Sequence, residues 1–292
     1  MDDLSYIDAL RATPLLQRAV IAGALAGVCC AALSPLVVLR RMAFVGDGMA
    51  HAAFGGIGIA LFVLAGAEYD SPAVQVLTLL FVLALAAGIG IVSRRPERAQ
   101  IAEDSAIGIA FSVSMALGAL FIRLRQNRSP QYVTSMDVFL FGSLWNISAS
   151  DVIAIAIVTL TVLLVMILLQ KEMLFYAFDA QLAEASGLNV GVFHYLFLIL
   201  LVLTVVQASR VMGIVLVSAS LVLPGVAALR VCRRLAPAML FAAGIGIASF
   251  ELGMYASYRL DVHPGSTIVL IQFALLLISA SVGALKQRGK IS

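Results

Sequence analysis

Charged residues are scarce in this sequence: 12% of its 292 residues are Asp, Glu, Lys or Arg, against roughly 25% in soluble domains. Hydrophobic residues make up 62%. A soluble fold would leave much of that apolar surface in water, so the composition excludes a soluble domain and predicts a protein of the lipid bilayer. The net charge of +3 comes from scattered residues without a polybasic tract, so we expect no nucleic-acid partner.

Cysteine and the motifs of catalysis are equally sparse. The three cysteines, Cys29, Cys30 and Cys232, fit neither a disulfide framework nor a CxxC metal motif. The sequence has no GxxxxGKS or GxxxxGKT phosphate loop, so it lacks the usual means of binding ATP. It also has no HExxH or GxSxG motif, which argues against an intramembrane enzyme. We therefore expect neither an enzyme nor a permanently bound cofactor.

Long apolar runs recur along the whole chain, each bounded by charge, proline or glycine. Their length matches the ~20 residues that a helix needs to cross a bilayer. The sixth run is short and is a candidate for a broken or half-span element, so we predict eight or nine spans. The fold class is therefore all-α, a polytopic transmembrane helix bundle, in one domain, 1–292. The runs cover residues 15–39, 45–66, 72–92, 103–122, 149–170, 191–208, 212–229, 236–258 and 264–285.

The positive charges indicate how the bundle lies in the membrane. With nine spans, most of the 19 Lys and Arg, including Arg40 and Arg41, fall on the same side as the C-terminus. Cytoplasmic loops are enriched in these residues, so we predict a multi-pass protein of the inner membrane with this side in the cytoplasm. The segment 123–145 carries three arginines on the other side. We expect it to be an interfacial or re-entrant piece, anchored by Tyr132 and Trp145.

Two ionisable residues interrupt the second apolar run. Asp47 and His51 are four positions apart, which places them on one face of a helix. If Arg41 marks the cytoplasmic interface, His51 lies about 15 Å deeper, near the middle of a hydrocarbon core about 30 Å thick. Ionisable groups at that depth usually face a bundle interior or an aqueous path. A carboxylate and an imidazole suit zinc, manganese or ferrous iron, so we predict a transient cation site.

One chain supplies only two ligands here, too few for firm binding. A two-fold homodimer with this helix face at its axis would bring two Asp and two His together. Two other interpretations stay open from the residues alone. The pair also fits an ion pair that fastens two helices, or the relay of an ion-coupled secondary transporter or channel.

The segment 40–52 around this pair reads Arg-Arg-Met-Ala-Phe-Val-Gly-Asp-Gly-Met-Ala-His-Ala. It resembles the pattern RRMxxxGDxxxHA of the permeases of zinc, manganese and iron ABC importers. Similar segments follow in the family's order at 103–109, 140–144 and 265–270. The resemblance therefore covers nearly the whole chain.

The resemblance implies the ABC importer permease fold, alternating access, and a path for divalent metal ions lined by Asp47 and His51 at a subunit interface. It also implies three partners: a second permease copy, cytoplasmic ATPase subunits that supply the work, and an extracytoplasmic protein that delivers the metal. The metal is cargo, and zinc, manganese and iron stay open. A metal chelate as cargo would need a wider and more apolar cavity.

Residues 179–190 resemble the coupling segment that docks into the ATPase in this family. The stretch lies on the predicted cytoplasmic side, where we expect a short amphipathic helix that ends at Gly187. By the resemblance, Asp179, Glu184, Ala185 and Gly187 are the coupling residues. An ordinary connector between two helices is the alternative.

Other polar residues have simpler interpretations. Glu251 interrupts an apolar helix at a place without a family match, and is a candidate pore-lining residue. Glu103 and Asp104 are expected to cap a helix N-terminus. His263, where the sequence departs from the family pattern, is expected to be a solvated or capping residue, and His194 a structural one.

Overall fold

The protein folds into a bundle of helices. The computed structural model describes residues 6–64, 66–69, 71–92, 99–128, 136–142, 147–178 and 180–288. These ranges hold no strand and contain nine candidate membrane spans, which confirms the predicted all-α membrane bundle. Eight spans are single helices: α2 (Pro14–Leu39), α3 (Ala43–Val63), α4 (Pro72–Val92), α5 (Ala99–Arg128), α7 (Ala149–Leu168), α10 (Val190–Met212), α13 (Leu235–Leu260) and α14 (Pro264–Arg288). The seventh span consists of α11 (Ile214–Ser220) and α12 (Leu223–Val231). The short helices are α1 (Tyr6–Ala12), α6 (Met136–Phe141), α8 (Gln170–Phe178) and α9 (Ala180–Ala185).

The interrupted span is the seventh and not the sixth, where the sequence predicted it. The sixth span, α10, is continuous over 23 residues, because Arg210, which ended the apolar run, is buried inside the helix. The seventh turns at Leu221 and Val222. Pro224 explains this turn, because proline has no N–H to donate to the carbonyl of Ser220 four residues earlier.

Side chains from neighbouring helices form hydrogen bonds with two polar groups beside this break. The Gln272 Nε2 of α14 donates to the Ser220 Oγ at 2.9 Å. The backbone N–H of Gly225 donates to the Ser34 Oγ of α2 at 2.8 Å. Such partners are required within a bilayer, where no water replaces a lost helical hydrogen bond.

Small residues let the central helices approach closely. The best-buried spans are α2 and α3: in the apolar 18-residue stretch of each, 72% and 78% of the residues are buried inside the bundle, against 28% to 50% in the other spans. A Cβ on Gly58 of α3 would lie 2.7 Å from the Gly118 Cα of α5. A Cβ on Gly246 of α13 would lie 2.8 Å from the Gly27 carbonyl oxygen of α2. Helices in lipid associate through this kind of close backbone packing.

The outer-side arginines belong to the end of α5, so the prediction of an interfacial piece is wrong for this part of 123–145. Arg125 donates to the carbonyl oxygens of Leu61 at 2.8 Å and Ala67 at 2.6 Å. The Arg128 guanidinium lies 4.5 Å from the centre of the Phe62 ring. A cation is favourable here, because the last carbonyls of α3 are free of helical partners.

Within the rest of that segment, the described residues Met136–Phe141 form the short helix α6, which packs against the bundle. Phe139 of α6 is 3% exposed, and its ring lies 5.3 Å from that of Phe54 on α3. Gly142 follows α6 with a φ of +78°, and a side chain there would meet the backbone of Gly213. The predicted anchors, Tyr132 and Trp145, lie outside the described residues.

A buried ion pair joins the start of α7 to the end of α10. The Arg210 Nη2 lies 3.3 Å from the Asp151 Oδ1, and also donates to the Tyr69 carbonyl at 3.3 Å. Asp151 forms a capping box with Ser148 at the start of α7. Both charges therefore have fixed partners.

The contact between α3 and α5 yields a prediction. Gly58→Ala should lower the melting temperature of the detergent-purified protein, because its methyl group meets backbone at a distance that forces the helices apart, at a cost of about 1–3 kcal/mol. Gly88→Ala on α4 is the matched control, since a Cβ there meets no heavy atom within 4 Å. Equal melting temperatures for the two variants would contradict this packing.

Candidate metal site

Asp47 and His51 lie one turn apart near the start of α3, which begins at Ala43. The His51 Nε2 and the Asp47 Oδ1 are 3.8 Å apart, too far for a hydrogen bond. Both residues belong to α3, so an ion pair between them would not hold α3 to another helix. The side chains remain near each other without being bonded to each other.

Ser218 is the hydrogen-bond partner of Asp47. Its Oγ donates to the Asp47 Oδ1 at 2.7 Å. Ser218 belongs to α11, whose last residue is Ser220, just ahead of the break in the seventh span. Sequence reasoning missed Ser218, because 171 positions separate it from Asp47. Pro224 inside an apolar run was the available signal, since broken membrane helices line polar sites.

The His51 ring is held on its other side by α5. Its Nδ1 lies 3.4 Å from the Met115 Sδ, and its ring centre lies 4.3 Å from that of Phe111. A thioether sulfur only accepts, so this contact is a hydrogen bond when the Nδ1 carries the proton. In that tautomer the Nε2, on the Asp47 side, keeps the lone pair with which a neutral imidazole binds a metal.

Two neighbouring cavities meet at Asp47. One, of about 370 Å³, lies against α5 and includes Ile107 and Phe111 in its wall. The other, of about 250 Å³, lies against α11 and includes Ser218. The Asp47 side chain is 43% exposed, and Phe44 beside it is 72% exposed. The carboxylate therefore opens onto an uncovered face of the single chain.

The single chain does not close a metal site by itself within the described residues. No group of three or more His, Cys, Asp or Glu side chains converges there. Structural zinc sites take four protein ligands and catalytic ones take three. Asp47 and His51 thus form at most half of a coordination shell.

Glu251 lies in another part of the bundle. It belongs to α13, which packs against α2, α12 and α14, whereas the α3 site lies against α5 and α11. Its neighbour is Tyr6 of α1, whose ring packs on those of Tyr255 and Tyr258. Burial, and to a smaller extent the Glu251 carboxylate, raises the pKa of the Tyr6 hydroxyl. The structure does not bring Glu251 to the Asp47 site, and its pore-lining role stays a prediction.

The predicted coupling segment contains the short helix α9. Its end has the hydrogen bonds of a Schellman motif, from the Gly187 N–H to the Glu184 carbonyl and from the Leu188 N–H to the Ala183 carbonyl. Gly187 has a φ of +88°, which explains why this position is a glycine. Glu184 and Ala185 are exposed. Asp179 lies outside the described residues.

The remaining histidines have structural partners. The His194 Nδ1 lies 2.8 Å from the Tyr176 hydroxyl. The His263 Nδ1 accepts from the Gly265 N–H at 3.2 Å at the start of α14, as a capping residue does. The prediction that Glu103 and Asp104 cap α5 is wrong, because the helix begins one turn earlier, at Ala99.

Comparison with known proteins identifies the family. A model of the ABC 3 transport family matches residues 12–283. The chain is 34% identical over 276 residues to the manganese transport system membrane protein MntC of Halalkalibacterium halodurans, covering 94% of this chain and 89% of that protein. It is 30% identical over 281 residues to the chelated iron transport system membrane protein YfeD of Yersinia pestis, covering 95% and 89%.

A solved structure agrees with these relatives. PsaBC from Streptococcus pneumoniae in complex with Fab matches with a TM-score of 0.80 at 29% identity, and the match covers 94% of this chain and 93% of that one. From its sequence and its fold alike, this chain belongs to the ABC 3 transport family.

Proposed function

We propose that this chain is the inner-membrane permease of an ATP-driven importer for divalent transition metal ions, and that Asp47 and His51 hold the ion on its path. The observation that carries the proposal is a carboxylate that opens onto a cavity within a membrane span, with an imidazole 3.8 Å away that is not hydrogen-bonded to it. The names of the relatives favour manganese or iron as cargo. A carboxylate oxygen and an imidazole nitrogen bind either ion.

A second copy of the chain completes the site in this proposal. The open face at Phe44 and Asp47 carries a carboxylate within a membrane span, and a protein partner can satisfy that group whereas lipid cannot. A two-fold axis there would place two carboxylates and two imidazoles around one ion. Four ligands from two halves hold an ion that is released when the halves separate.

Work would come from separate cytoplasmic ATPase subunits, since the chain has no phosphate loop. The segment 179–190 is the proposed docking element, with the exposed Glu184 and Ala185 before the turn at Gly187. Closure of the ATPases would move this segment and tilt the spans, opening the path alternately to each side. An extracytoplasmic metal-binding protein would supply the ion. Membership of the ABC 3 transport family favours this account over an ion-coupled secondary transporter.

The central test removes each ligand. Asp47→Ala and His51→Ala should each reduce uptake of radioactive manganese into proteoliposomes by roughly tenfold or more. Mutating a residue that only supports a metal ligand already costs ~10–100-fold in metal affinity, and these variants remove a ligand itself. The transporter is reconstituted with its ATPase and binding protein. Asp8→Ala and His263→Ala are matched controls, because both residues lie outside the proposed path. Normal uptake by both ligand variants would reject the site.

Ser218 should orient Asp47 for the ion. Ser218→Ala removes the hydroxyl that donates to the carboxylate and should raise the KM for manganese by about tenfold, as outer-shell losses do at other metal sites. ATP hydrolysis without metal should stay unchanged. Ser249→Ala is the control, because that buried hydroxyl donates to the Gly246 carbonyl on α13 instead. An unchanged KM in Ser218→Ala would show that the hydrogen bond has no part in transport.

A further inference from the structure

A groove of about 690 Å³ opens between α8 and the start of α13, on the predicted cytoplasmic side. Its floor is apolar and includes Leu174, Phe175 and Phe178 of α8. All three side chains are exposed, and Phe178 keeps 62% of its surface uncovered. Large apolar side chains grouped in this way mark a surface that binds an apolar partner.

The rim of the same groove is basic. Lys171 stands at the α8 side, and Arg233 and Arg234 stand at the α13 side, all three exposed. None of the described residues that line the groove is acidic. Three cations beside an apolar floor complement a ligand that has an anionic head and a hydrocarbon body.

Contacts of α8 place the groove at the level where the spans end. Arg40 follows the last turn of α2, and its Nη1 donates to the Tyr176 carbonyl at 3.1 Å. Its guanidinium also lies 4.2 Å from the centre of the Tyr176 ring. The Tyr176 hydroxyl lies 2.8 Å from the Nδ1 of His194, in the second turn of α10. The helix that forms the floor thus lies at the membrane boundary, where amphipathic helices meet lipid headgroups.

The apolar floor continues onto the membrane-facing surface of the bundle. Leu240 of α13 is one turn beyond Pro237 at the groove and is 77% exposed. Ile167 and Leu168 of α7 come just before the groove residue Gln170 and are each 69% exposed. An acyl chain that starts in the groove can therefore extend along the bundle into the hydrocarbon core.

We infer that this groove binds an anionic phospholipid of the cytoplasmic leaflet. The phosphate lies among Lys171, Arg233 and Arg234 through charge-assisted hydrogen bonds, and the acyl chains lie on the floor formed by α8. Bound in this way, the lipid links α8 to the first turn of α13. The helix α8 leads directly into the segment 179–190. The inference uses none of the residues of the Asp47 site and stands independently of the cargo.

The test measures phospholipid binding to the detergent-purified transporter together with its ATPase, by native mass spectrometry with added phosphatidylglycerol or phosphatidylcholine. A variant with Lys171→Gln, Arg233→Gln and Arg234→Gln should bind phosphatidylglycerol on the order of 100-fold more weakly, since each cation near a membrane surface contributes about fivefold. Arg230→Gln is the matched control, because Arg230 is exposed at the same end of the bundle but does not line the groove. It should bind phosphatidylglycerol as the unaltered protein does.

Two further variants keep the test decisive if the triple variant fails to fold. Arg234→Gln alone should weaken phosphatidylglycerol binding by about fivefold. Phe178→Ser should weaken it while all three cations remain. Unchanged binding in these variants overturns the inference, as does an equal loss in Arg230→Gln.

Two other results also overturn it. If inorganic phosphate displaces the bound lipid at the concentrations where phosphatidylglycerol does, the groove is an anion site and not a lipid site. If the variants lose the ATPase during purification but keep their phosphatidylglycerol affinity, the groove is a protein contact.

Discussion

An ionisable side chain within a bilayer needs a polar partner, because hydrocarbon stabilises neither its charge nor its hydrogen-bonding groups. The bundle meets this requirement in two different ways. In the first way, Asp151 pairs with Arg210, and Arg125 binds the carbonyls of Leu61, at the end of α3, and of Ala67, just beyond it. These charges are enclosed by fixed partners and hold helices together. Asp47 has one hydroxyl donor and otherwise faces a cavity. An incompletely satisfied carboxylate beside an imidazole is suited to a cation that comes and goes.

The break in the seventh span makes this arrangement available. Pro224 ends the hydrogen bonding of α11 inside the bundle, and the last turn before it carries the Ser218 that reaches Asp47. Gln272 of α14 and Ser34 of α2 form hydrogen bonds with Ser220 and Gly225 on either side of the break, which fix it to the neighbouring helices. Irregular backbone is tolerated in membranes where protein or a cavity surrounds it. The same break is therefore part of the packing of the bundle and of the surroundings of Asp47.

Much of the architecture is predictable from local sequence. The apolar runs predicted eight or nine spans, because their length matches the thickness of a bilayer. The spacing of Asp47 and His51 placed them on one face, because it matches the period of a helix. The family follows from the residues 40–52, and the family model confirms it. Ser218 and Met115 were not predictable, since each meets the site across a long separation in sequence. The prediction that Arg125 lies in an interfacial piece was wrong. It counted positive charges on each side of the membrane and did not consider that a guanidinium can bind free carbonyls at a helix end.

The account depends on metal coordination by Asp47 and His51 from two copies of the chain. X-ray absorption on the manganese-loaded transporter measures that coordination directly. The account predicts imidazole nitrogen scatterers in the first shell, and their loss in His51→Ala while His263→Ala retains them. A first shell with oxygen ligands alone, unchanged by His51→Ala, would contradict it.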